Sequence, residues 1–212
     1  MKLVLLMSLL PGIILKDDCC TSIPEGSFST TSGATDTPTG SASETEMDSQ
    51  SETGVEPVPL DRAVVFVTRS WLRGDEALEA EVACAQEAAT AGLSGNFIPW
   101  LALDGKSAAS RLTPAKTVIL PNGLIVSADW QALLDGELLF GIWAHVDGGD
   151  SADKPVWTGT QQGGTIGQTC EDWSVLSLTG TYGVAGKTTA GWTDSGTADC
   201  RTRMRVYCFQ QS

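Results

Sequence analysis

Between Asp75 and Ala91 the apolar residues recur with a helical period. Ala77, Leu78, Val82, Cys84, Ala85, Ala88 and Ala89 share one broad sector of a helical wheel, with Glu76, Glu79 and Glu87 opposite. Gly74 precedes the run, Asp75 and Glu76 suit a helical first turn, and Gly92 can supply a left-handed residue at the end. The pattern predicts a helix over Asp75–Ala91 with Cys84 facing the core. Most other apolar runs are short and broken by glycine, which reads as strands and loops. Arg205-Val206-Tyr207-Cys208-Phe209 forms a β-rich run at the end of the chain.

Residues 21–60 have a different character. Half of the positions are Ser, Thr or Gly, Lys and Arg are absent, and all seven charges are acidic. Such a segment buries too little apolar surface to offset its ordering entropy, so it reads as a disordered linker. The remainder, 61–212, is the size of one domain with its own core. It holds 17 acids and 11 bases, a net of −6, against −13 for the whole chain. Nucleic-acid binding needs a basic face to meet phosphate, and that class is set aside.

Residues 1–20 read as an export signal or anchor region, in which Lys2 precedes an apolar run through Leu15 that is too short to span a bilayer. Cys19 and Cys20 stand directly before the linker and are candidates for lipidation, hence for a lipid anchor to a membrane. From these features the protein is expected to be exported: at the cell surface or outer membrane, or secreted.

Cys84, Cys170, Cys200 and Cys208 remain. No C-x2-C spacing suggests zinc, so disulfides are expected, and four cysteines allow three pairings. A bridge from Cys84 on the helix to Cys208 in the terminal run would tie the two ends of the domain together. Cys170 to Cys200 would then clip a Gly- and Thr-rich excursion.

The ordered series VFVT, AATAGLSGNFIPWLA, SAASRLT, NGLIVSADWQALLDG, VWTGTQQGG, TCEDW, GWTDSG and RVYCF resembles a bacterial family of endostatin-like surface proteins, a domain of unknown function with a C-type lectin-like fold. The resemblance runs from about Val64 to Gln210. It implies an α+β domain: a small mixed sheet, the helix Asp75–Ala91, a shorter helix near Ser107–Leu112 and long irregular loops. It also implies the bridges Cys84–Cys208 and Cys170–Cys200. Sugar-binding members of the fold hold calcium with an acid-Pro-Asn and a Trp-Asn-Asp motif. Thr160-Gln161-Gln162 occupies the first place here and Trp192-Thr193-Asp194 lies further from Cys200 than the second motif would, which offers a calcium ion too few carboxylates. No metal and no cofactor are expected.

Catalytic signatures are sparse. His145, the single histidine, lies among apolar residues and reads as structural, while Glu171-Asp172 and Asp147 with Asp150 read as solvated loop acids. The chain is therefore expected to be a noncatalytic binding or adhesion module for an extracellular protein or glycan. The alternatives are a polysaccharide-acting hydrolase and a structural envelope component. Expected ligand contacts are Trp173, Trp192, Asp194, Gln161 and Gln162 in the loops, with Arg201, Arg203 and Arg205 on one side of an extended segment.

Overall fold

The computed structural model describes residues 60–211. Residues 1–20, with Cys19 and Cys20, lie outside the described residues, as does all of the acidic segment except Leu60. Leu60 itself packs against the core and forms backbone hydrogen bonds with Pro114 and Lys116.

The strands are β1 (Ala63–Val67), β2 (Asn96–Pro99), β3 (Val118–Ile119), β4 (Ile125–Ser127), β5 (Pro155–Trp157), β6 (Thr179–Val184), β7 (Gly196–Asp199) and β8 (Tyr207–Gln211). The helices are α1 (Ala80–Thr90), α2 (Ala108–Arg111) and α3 (Trp130–Asp135). One sheet has the order β2-β8-β1-β3-β4, mixed because β1 runs parallel to β3. The second, β5-β6-β7, is antiparallel. The domain is thus α+β.

Both faces of the first sheet are covered, and the sequence of its central strands follows from this. Along β1, Val65 and Val67 enter one apolar cluster and Phe66 the other; along β8, Tyr207 and Phe209 enter the first and Cys208 the second. A strand buried on both faces needs a continuous apolar run, as in Ala63–Val67.

The predicted helix forms in two parts. Gly74–Glu79 is 3-10 and only Ala80–Thr90 is α-helical. The tighter winding of the first part changes the phase of the apolar stripe. Ala77, Ala80, Cys84 and Ala88 are buried, whereas Leu78 and Val82, expected on the core face, are 55% and 56% exposed. Ala85 and Ala89 are exposed as well. α2 forms where a short helix was expected, with the Ser107 hydroxyl accepting from the Ser110 N–H.

Two disulfides are present, Cys84–Cys208 and Cys170–Cys200. The first pins α1 to β8, and the second holds the excursion that carries β6 and β7. Gly74 packs on the second bridge: a Cβ there would lie 2.9 Å from Cys200 Cβ and 3.0 Å from Cys170 Sγ. Any larger residue would push this strap away from the disulfide. The bridges suggest an oxidising environment, and no helix among the described residues is long and apolar enough to cross a membrane.

Candidate recognition surface

The tryptophans expected to meet a ligand are core residues. Trp173 and Trp192 are 1% and 0% exposed. Trp173 packs edge-on to Trp157 and donates its indole N–H to the Ala102 carbonyl at 2.7 Å. Trp192 lies 4.9 Å from Trp100, ring to ring, in an aromatic cluster with Tyr207 and Phe209. Burying such large rings stabilises the loop-side core, so both leave the set of ligand contacts.

Gln161 and Gln162 are exposed, but Gln162 donates to the Asp135 carbonyl at the end of α3. Asp194 is half-buried beside Trp192. Among the described residues no hydrogen bond joins these three side chains to one another or to the arginines.

Two of the three arginines do come together. Leu72 and Met204 exchange backbone hydrogen bonds of 2.7 and 2.9 Å, a short antiparallel pairing with both side chains buried. Side chains alternate along extended backbone, so the residues on either side of this pair share the outer face. Those residues are Trp71 and Arg73 on one segment and Arg203 and Arg205 on the other. Arg201 lies outside the row, in the turn after β7, where it pairs with Asp199.

Trp71 is the most exposed of the tryptophans, at 39%. The Arg205 guanidinium sits 4.5 Å from its ring centroid and donates to the Thr68 carbonyl at 2.6 Å. Arg203 donates to the Trp71 carbonyl at 3.0 Å and to Glu76 at 3.1 Å. The backbone just before Trp71 is fixed from below, because Glu87 accepts from the N–H groups of Arg69 and Ser70 and from the Ser70 hydroxyl. The result is an indole held out to solvent by a polar frame in which the buried Arg205 Nε finds no hydrogen-bond partner among the described residues.

Electrostatics follow from this packing. Burial, and after it the like charge of Arg69, lowers the Arg205 guanidinium from its ordinary value. A hydrogen bond from the Arg73 N–H is the main cause holding Glu76 below the usual carboxylate range, with the charges of Arg203 and Arg73 adding to it. Asp147 is lowered chiefly by Arg69, whose guanidinium it meets at 2.6 Å. Arg69 and Asp147 also line an open hollow of about 350 Å³ with Gln86, Glu87, Thr90, Ala91 and Val146.

A second surface belongs to the disulfide-clipped excursion. Cys170, Glu171, Asp172 and Trp173 form a single left-handed helical turn, with φ of 54°, 54°, 52° and 62°. Each L-residue in that region costs about 1–2 kcal/mol, so the surrounding packing must impose the turn. Its ends are anchored by the disulfide and by buried Trp173, and the Thr169 hydroxyl accepts from the Asp172 N–H at 3.1 Å. Glu171 and Asp172 are thereby presented to solvent.

His145 is buried, and its Nδ1 lies 2.7 Å from the Val67 carbonyl. Among the described residues no three His, Cys, Asp or Glu side chains converge as a metal site.

A scan against models of known protein families finds no match to this chain, and a search of curated proteins finds none.

Proposed function

We propose that this domain is a noncatalytic recognition module of C-type lectin-like architecture, acting at the cell surface or after secretion on an extracellular protein or glycan without calcium. The observation that carries the reading is Trp71: an exposed indole clamped between Arg203 at its carbonyl and Arg205 at its ring. Tryptophan and arginine supply much of the energy of interfaces when they are held in place before binding.

The architecture is supported by a bridge from the first helix to the last strand, a second bridge within the excursion, and paired first and last strands. The endostatin-like resemblance of the sequence is consistent with these features. Asp147 and His145 are engaged in ways that suit support more than chemistry, since Asp147 holds Arg69 and His145 meets a backbone carbonyl.

The test is an array of glycans and extracellular-matrix proteins probed with the full chain and with Trp71→Ala. The reading predicts a ligand that the parent retains, that Trp71→Ala loses, and that is recovered chemically unchanged. Turnover of a glycan by the parent would replace it with the hydrolase reading.

A further inference from the structure

Apart from the Trp71 ledge, the left-handed turn separates two hollows that meet at Thr169. One, of about 460 Å³, is lined by Gln168, Thr169, Cys170, Glu171, Leu178 and Thr179. The other, of about 130 Å³, is lined on its apolar side by Ala102, Leu103 and Ile166 and on its polar side by Lys106 and Asp172. Each contains an apolar side chain well open to water, Leu178 at 43% and Ile166 at 45%. We propose that this apolar groove across Thr169 docks a basic protein segment, in which aliphatic side chains cover Leu178 and Ile166 while a Lys or Arg between them meets Glu171 and Asp172.

Three observations select that occupant. Leu178 and Ile166 are the kind of surface that a partner removes from water, and the hollows they line share Thr169. The charge between them is acidic and still has capacity for donors. The Glu171 carboxylate takes part in no hydrogen bond or ion pair among the described residues, and the Asp172 carboxylate accepts only the Asp104 N–H at 2.9 Å. Lys106 is the one base lining either hollow. An acidic partner or an anionic glycan would meet like charge here, whereas a basic segment is attracted both locally and by the domain's net −6.

Rigidity is the third observation. The carboxylates ride on a turn fixed by the Cys170–Cys200 bridge and by Trp173, whose indole N–H is held by the Ala102 carbonyl. Little order has to be created in this part of the surface on binding, which favours affinity.

The experiment measures binding of three nine-residue synthetic peptides to the full chain at physiological salt: alternating Lys and Leu, alternating Lys and Ser, and alternating Glu and Leu. The groove predicts that Lys/Leu binds, Lys/Ser binds at least tenfold more weakly, and Glu/Leu does not bind. Ile166→Ser with Leu178→Ser should weaken Lys/Leu about tenfold, and so should Glu171→Gln with Asp172→Asn. Glu79→Gln with Glu137→Gln, the same charge change elsewhere, should alter it less than twofold, and Trp71→Ala should leave it unchanged. Equal binding of Lys/Ser and Lys/Leu, or equal losses in the two charge variants, would reduce the effect to the overall acidity of the chain and overturn the proposal. Loss of binding in Trp71→Ala would overturn it by moving the site to the ledge, with the recognition reading intact.

Discussion

The Arg205 guanidinium lies 4.5 Å from the ring centroid of Trp71, across a two-strand pairing centred on Leu72 and Met204. The contact is worth on the order of 0.5–1 kcal/mol at a partly exposed site. Arg205→Ser should cost about 1 kcal/mol of stability and make the Trp71 indole more accessible to iodide quenching. Trp71→Ala, which opens no buried cavity, should cost less than about 1 kcal/mol by thermal melt. A fall of several kcal/mol in Trp71→Ala would show that the ring supports the core.

Glu171 has φ 54° and ψ 63° on an exposed part of the left-handed turn. Glycine tolerates this region but loses more backbone entropy on folding, so relief of about 1–2 kcal/mol is offset by about 0.5–1. Glu171→Gly should therefore stabilise the domain by about 0.5–1 kcal/mol, and Glu171→Val should destabilise it. Chemical denaturation of the two variants measures both effects.

The bridges close loops of different length, 124 residues for Cys84–Cys208 and 30 for Cys170–Cys200. Chain entropy credits them with about 5 and about 3.5 kcal/mol. Replacing both cysteines of the longer bridge by serine should lower stability more than the same change in the shorter one. In the latter variant, hydrogen exchange should accelerate first at 71–74 and 200–205, because Gly74 packs directly on that disulfide.

Stability should fall at both ends of the pH scale. Asp61, Glu76 and Asp147 are held below the usual carboxylate range by their hydrogen bonds with Lys116, Arg73 and Arg69. Their contribution is present above the unfolded pKa and is lost as pH falls through the folded one, so melting temperature should drop below about pH 4. All three lie at the surface, which makes this limb shallow. Burial pushes the Tyr207 hydroxyl well above its ordinary range, and it donates to the Trp192 carbonyl at 2.9 Å. Its contribution is complete below the unfolded pKa and declines above about pH 10, which should give a steeper alkaline limb. Tyr207→Phe should flatten that limb in a melting series from pH 8 to 11.

Local signals in the sequence identified some elements and missed others. The α+β character and the short helix behind Ser107 came only with the family resemblance, whereas a helix carrying Cys84 on its buried side was legible locally. The phase of the first helix was not, because nothing in Gly74–Glu79 announces a 3-10 turn, and it is this turn that carries Leu78 and Val82 away from the core. α3 carries readable signals at both ends. The Asp129 carboxylate accepts from the Ala132 N–H at its start, and Gly136 is left-handed at its end, where a Cβ would lie 2.5 Å from the Ala190 nitrogen.

For the site, alternation about Met204 placed Arg203 and Arg205 on a common face, but the partnering tryptophan was misassigned. Whether an indole is core or surface depends on what tertiary contacts bring to it. Trp192 meets Trp100 and Tyr207 from distant parts of the chain, while Trp71 flanks a two-strand bridge that no local pattern reveals.

The most direct test of the account is the affinity of the parent and of Trp71→Ala for whichever matrix protein or glycan the array identifies, with melting temperature recorded for both. A recognition ledge predicts at least a tenfold loss of affinity with melting temperature within a few degrees of the parent. Unchanged affinity in a folded Trp71→Ala protein would contradict it.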